Sequence, residues 1–190
     1  ALTGANVAVT DAGATDLGAS TVSGILDITS GGDVTDSGTL AITGVTTISA
    51  SGQDITLDEA ASTFGTLALT GANVAITDAG ATDLGASTVS GTLDITSGGT
   101  VTDSGTLAIT GATTISASGQ DITLDEAAST FGTLALTGAN VAVTDAGATD
   151  LGASTVSGTL GITSGGAITD SGTLAITGAA TFDNSGGTND

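Results

Sequence analysis

The chain has 190 residues, 20 of them acidic and none Lys, Arg or His, for a formal net charge of −20. Charge of one sign excludes internal salt bridges and the cationic surface that nucleic acid or anionic lipid requires, while 39% hydrophobic residues are too many for a disordered acidic tail. The lack of Cys excludes a disulfide framework and zinc–thiolate sites, and three phenylalanines as the only aromatics argue against a thick globular core.

Residues 68–134 repeat residues 1–67 with four changes: Val9 to Ile76, Ile25 to Thr92, Asp33 to Thr100 and Val45 to Ala112. Residues 135–190 begin a third copy and stop before completing it. The chain therefore divides into units 1–67, 68–134 and 135–190 of one continuous structure. It has no initiator Met, no leader sequence and no apolar run near the ~18 residues of a membrane helix. Because the text starts and stops inside a repeat, it reads as a mature segment or a fragment of something longer.

The second copy shows the grain most clearly. Thr66-Leu67-Ala68-Leu69-Thr70-Gly71, Asn73-Val74-Ala75-Ile76-Thr77, Thr92-Leu93-Asp94-Ile95-Thr96 and Thr106-Leu107-Ala108-Ile109-Thr110-Gly111 place aliphatics at i and i+2. Asp121-Ile122-Thr123-Leu124-Asp125 does the same between carboxylates. That period is the half-buried β-strand. Turn formers separate the runs: Gly71-Ala72-Asn73, Ser97-Gly98-Gly99, Asp103-Ser104-Gly105 and Ser118-Gly119-Gln120. The best helical candidate, Asp125 to Thr130, is only about one and a half turns long.

Strand centres fall near residues 68, 75, 85, 94, 101, 108, 115, 123 and 132. A sandwich or barrel needs strands of about 5 to 6 residues, and an immunoglobulin-like unit about 100 residues. Short strands in a unit of this size instead favour an all-β solenoid, a parallel β-helix whose coils bury their inner face only by stacking. Nine centres suggest about three coils per 67-residue repeat, at about 22 residues per coil, each rising about 4.8 Å. The glycines are read as corner residues.

The phrases TLALTGANVAITDAGATDLGAS, TLDITSGGTVTDSGTLAITGATTIS and DITLDEAASTFGTLALTG resemble the repeats of very large bacterial exoproteins of the filamentous-haemagglutinin type. The resemblance runs from Ala1 to Thr181; at residues 182–190 FDNSGGTND stands where the second copy has ISASGQDIT, marking a different coil or a ragged boundary. It implies a right-handed parallel β-helix, export across a Gram-negative envelope to the cell surface or beyond, and use as an adhesin or extracellular fibre. No secretion domain, RGD motif or anchor occurs in these residues.

The catalytic inventory is nearly empty: without His, Lys, Cys or Tyr, only Ser and Thr hydroxyls could attack and only carboxylates could act as bases. Asp58-Glu59 and Asp125-Glu126 are adjacent, and strand neighbours point to opposite faces. The chain reads as a non-enzyme.

Oxygen-rich turns suit Ca2+, and Asp54, Asp58, Glu59, Asp121, Asp125 and Glu126 are the metal-ligand candidates. Neither the GGxGxD nonapeptide nor an EF-hand loop is present, and Asp94 becomes Gly161 in the third copy. A solvated acidic face competes with weak Ca2+ bridging within or between fibres. Scattered Thr-x-Thr pairs such as Thr100-Val101-Thr102 raise an ice-ordering face, which the outer aspartates oppose. Asn6, Asn73 and Asn140 mark a turn or a buried amide, and Phe64 and Phe131 a corner of the tube. The expected role is a self-associating fibre or shaft, with no nucleic-acid partner and no membrane insertion. The alternative is an adhesin module contacting glycans or host surfaces.

Overall fold

A computed structural model describes residues 1–184. Residues 185–190, the rest of the divergent FDNSGGTND tail, lie outside the described part.

Alternating small and branched aliphatics give strands with one wet and one dry edge, and the chain folds accordingly. Every strand pair is parallel, and strands such as Val74–Asp78, Leu93–Ser97 and Thr113–Ser116 each lie on one from the preceding coil and beneath one from the next. No helix occurs among the described residues; the Asp125–Thr130 stretch is a turn ending in an isolated bridge from Thr130 to Ala108. The molecule is an all-β parallel solenoid.

The second copy supplies strands Thr66–Gly71, Val74–Asp78, Thr82–Leu84, Ser87–Val89, Leu93–Ser97, Val101–Asp103, Leu107–Ile109, Thr113–Ser116 and Ile122–Leu124. Two details differ from the sequence reading. The strand expected near 85 is two, Thr82–Leu84 and Ser87–Val89, on either side of a bend at Ala86. Both stack on the single long strand Thr66–Gly71, so one face below becomes two above. The strand expected near 132 is absent: Phe131 is followed directly by Thr133–Gly138, the opening strand of the next copy.

Coil length varies from 17 to 22 residues. Val7 carries Leu26, then Thr46 and Leu67, and Leu67 carries Leu84 and then Asp103. Two further coils, Val101 to Ile122 to Val141, complete seven for two copies. One copy thus occupies three and a half coils. Consequently Val7–Asp11 and Val141–Asp145 lie in one large sheet, and their homologue Val74–Asp78 in the other.

The interior is a column of stacked aliphatics. Ile76, Ile95, Ile115 and Leu136 lie one upon another, as do Val9, Ile28, Ile48 and Leu69. Full burial of one such side chain is worth about 1.5–3 kcal/mol. Phe64 and Phe131 are buried in the same core.

Most glycines serve close approach, not unusual backbone angles. Gly91, Gly111 and Gly132 follow each other up one corner, and a Cβ on Gly111 would lie 2.5 Å from the Gly91 carbonyl oxygen. Among the described residues only Gly52 and its copy Gly119 take a positive φ, 76°, and both have open space where a Cβ would go.

Candidate functional site

With no cation to pair with, each carboxylate takes its partners from hydroxyls and backbone N–H groups of neighbouring coils. Four arrangements recur.

The first involves the candidates Asp54 and Asp121. Each sits at an exposed corner just before a three-residue strand, and its Oδ1 accepts both the backbone N–H and the side-chain amide of the asparagine one coil on: Asn73 at 3.1 and 2.9 Å, Asn140 at 3.0 and 3.0 Å. The asparagine oxygen then accepts from the backbone N–H of Thr92 or Thr159 in the following coil. Asn73 and Asn140 are exposed turn residues, not buried amides. In the first copy Asp33 extends the chain downward by accepting the Asp54 N–H at 3.1 Å.

The second places Asp58-Glu59 and Asp125-Glu126 above Asp36 and Asp103. Asp103 Oδ1 accepts the Asp125 N–H at 2.8 Å and its Oδ2 the Glu126 N–H at 3.4 Å, so backbone, not the candidate carboxylates, faces the lower aspartate. Burial raises the pKa of Asp36 and Asp103, opposed by these N–H bonds and reinforced by the two acids above. Asp121 and Asp125 stand at opposite ends of Ile122–Leu124, about 13 Å apart for four residues of extended chain. The six candidates are thus drawn into separate corners. Among the described residues no group of three or more acids is placed to hold a metal ion.

In the third, an outward aspartate is clamped by hydroxyls. Asp83 Oδ2 accepts from Thr66 below and Ser104 above, both at 2.8 Å. Asp150 does the same with Thr133 and Ser171, and those hydrogen bonds, Ser171's first, hold its pKa below the usual value.

The fourth was not singled out from the sequence. Asp78 and Asp145 are each only 1% exposed. Asp78 Oδ1 accepts the Gly80 N–H at 2.8 Å, and its Oδ2 lies 3.3 Å from Thr82 Oγ1. Burial raises both pKa values against the bonds from Gly80, Thr82 and Phe64, or Gly147, Thr149 and Phe131. The signal was in the alternation: Val74, Ile76 and Asp78 share one strand face, so the inward period delivers a carboxylate to the interior.

Chemically these groups hold coils together. Thr82 with Asp78 and Thr149 with Asp145 are buried hydroxyl–carboxylate pairs, while those of Asp83 and Asp150 lie at the surface. The surface also carries a rank of hydroxyls, Thr77, Thr96, Ser116, Thr137 and Thr155, on successive coils of one sheet, with Thr10, Thr29, Ser49, Thr70 and Thr88 on the other. Among the described residues no helix is long and apolar enough to cross a membrane.

A family model described as "Repeats of unknown function (DUF5649)" matches residues 4–70, 71–137 and 138–190. Its period equals the 67-residue repeat, entered three residues later. No curated protein and no solved structure matches.

Proposed function

The chain belongs to the DUF5649 family of repeats, and we propose that it serves as a length of fibre or adhesin shaft on or outside a bacterial cell. It is a repeat β-solenoid, and its coil-on-coil pairing along the described length supports this reading most directly. A copy has no closed core of its own: Ile48 and Leu67 of the first copy are covered by Leu69 and Leu84 of the second. Such a structure grows by adding coils and transmits load along a continuous hydrogen-bond ladder.

The resemblance to filamentous-haemagglutinin-type repeats supports export, and the acidic, cation-free surface suits an assembly that must stay soluble at high copy number. End-to-end association belongs to the same proposal, since a terminal coil offers unpaired strand edges to another chain.

Arrays of two, four and six copies imaged by electron microscopy test it. The expected result is a rod of constant width lengthening by about 17 Å per copy, three and a half coils at about 4.8 Å each. Separate beads, or a length that does not scale with copy number, sinks the shaft reading.

The outward hydroxyl ranks favour a second reading, an adhesin module contacting glycans. Rods that stay monodisperse yet bind a glycan array would select it over a self-assembling fibre.

A further inference from the structure

The hydrogen-bond chain around Asp78 is one proton short. Asp78 ends the strand Val74–Asp78 and stacks beside Ser97 of the next coil. Thr82 Oγ1 lies 3.3 Å from Asp78 Oδ2 and 2.9 Å from Ser97 Oγ; Ser97 Oγ in turn lies 3.1 Å from both the Gly80 and the Gly99 carbonyl oxygens. Thr82 has one hydroxyl proton and two acceptors, and so does the chain beyond it. With Asp78 ionised, Thr82 must donate to the carboxylate. Ser97 then either donates to Thr82 and leaves the two carbonyls, or donates to a carbonyl and leaves two hydroxyl oxygens facing each other without a proton between them.

A proton on Asp78 Oδ2 completes one continuous path from the acid to a glycine carbonyl, the second carbonyl beside Ser97 taking no proton from it. Asp78 donates to Thr82, Thr82 to Ser97, and Ser97 to a glycine carbonyl, while Oδ1 continues to accept the Gly80 N–H at 2.8 Å. The third copy reproduces the geometry: Asp145 Oδ2 to Thr149 Oγ1 is 3.1 Å, Thr149 to Ser164 is 3.0 Å, and Ser164 to the Gly147 carbonyl is 3.0 Å. All six side chains are buried. In the first copy Asp11 is exposed, and Thr15 and Ser30 make the remaining links at 3.1 Å and, to Gly13 and Gly32, 2.9 Å.

We propose that Asp78 and Asp145 are proton-binding sites, and that the neutral acid closes a one-directional chain of hydroxyls that locks successive coils together. The ligand is a proton, and the device makes the cohesion of the array depend on pH. The charged groups on the surrounding elements are all acids: Asp94 on Leu93–Ser97, Asp83 on Thr82–Leu84, and Asp58 and Glu59 on the segment leading to Phe64. For Asp145 they are Asp150, Asp125 and Glu126, Gly161 having replaced the acid on Leu160–Ser164. None of them contributes to the raised pKa of either site, which burial causes.

The test is carbon-detected NMR titration of the aspartate carboxyls in the 190-residue chain, alongside the double variant Asp78→Asn and Asp145→Asn. An asparagine mimics the neutral acid, its amide N–H donating to the threonine. The expected result is two carboxyl resonances whose midpoints lie above those of the exposed aspartates and which vanish in the variant. The variant should also show a raised urea midpoint at pH 7 and a flatter pH dependence between pH 4 and 7. Midpoints equal to those of exposed aspartates overturn the proposal. If the variant does not fold, the wild-type titration decides alone, supported by the infrared carbonyl band of a protonated carboxylic acid persisting above the midpoints of the exposed aspartates; absence of that band together with ordinary midpoints counts against it.

Discussion

Asn73 gives both its backbone N–H and its side-chain amide to a single oxygen of Asp54, at 3.1 and 2.9 Å, and takes the Thr92 N–H on its own side-chain oxygen at 3.1 Å. One side chain thereby joins three successive coils at a corner where no strand pairing is available.

Replacing Asn73 should therefore cost more than an exposed position ordinarily does. Asn73→Ala removes the side-chain bonds to both neighbours and is expected to lower unfolding free energy by about 1–2 kcal/mol. Asn73→Asp, which sets a carboxylate against Asp54, should cost more and recover part of the loss in high salt. Urea unfolding of the two variants with and without added NaCl checks this; equal costs at all salt concentrations would contradict it.

Thr113 occupies the inner column between Leu93 and Leu134, wholly buried, and its hydroxyl has no hydrogen-bond partner, as is true of Thr46 one copy earlier. Thr113→Val keeps the shape and removes the unpaired polar atom. A stabilisation of about 1–3 kcal/mol is expected from relieving that burial, read as a higher midpoint in urea. A destabilised valine variant would mean the hydroxyl has a partner after all.

The two kinds of glycine should respond differently to alanine. Gly119 lies at positive φ with free space, so Gly119→Ala should cost about 1–2 kcal/mol of backbone strain. Gly111→Ala drives a methyl against the Gly91 carbonyl and must spread two coils, placing it at or beyond the upper end of the roughly 1–3 kcal/mol seen for overpacking. Thermal melts of the pair should rank Gly111→Ala as the more harmful.

Stability should rise as the solution is acidified from neutral pH toward about pH 4. Asp36, Asp78, Asp103 and Asp145 have folded pKa values raised above 3.8, chiefly by burial, so the folded chain holds their protons more tightly than the unfolded chain. Their contribution is complete below 3.8 and is lost as pH rises through the folded values. Asp150, lowered by the Ser171 and Thr133 hydroxyls, has the opposite sign, but acts only below 3.8. Urea midpoints measured from pH 7 down to pH 4 should climb, and a fall across that range would refute the assignment. Added NaCl should raise stability at pH 7 as well, because 20 like charges without a cation gain only from screening.

Much of this architecture is legible in the residues. Val74-Ala75-Ile76 and Leu93-Asp94-Ile95 declare their inner and outer edges by alternation alone, and the brevity of the runs distinguishes stacked coils from a sandwich. The same alternation carries Asp78 inward, a conclusion available from the text but obscured by the habit of assigning every carboxylate to the surface. The coil length was not legible. It depends on which strand lies upon which, and Thr66–Gly71 carries Thr82–Leu84 and Ser87–Val89 together because the chain bends at Ala86 between them. That Asp121 and Asp125 diverge was available from the sequence, since the two bracket a run read as extended strand and four extended residues hold them apart. Most glycines lie between strands, as expected of corner residues, but Gly4, Gly71, Gly138 and Gly161 lie within strands, and many of the rest are there to let backbones touch.

The half coil left over in every copy has a consequence for anything that meets an array from the side. Each hydroxyl rank crosses a copy boundary, three members from one copy and two from the next, and successive ranks lie on opposite flanks, so a visitor on one flank meets a new rank about every 34 Å. A long array is thus a two-sided ribbon with equal valency on its flanks. Shortening it by one copy takes footholds from both flanks, as the second copy shows with Thr70 and Thr88 on one and Thr77, Thr96 and Ser116 on the other.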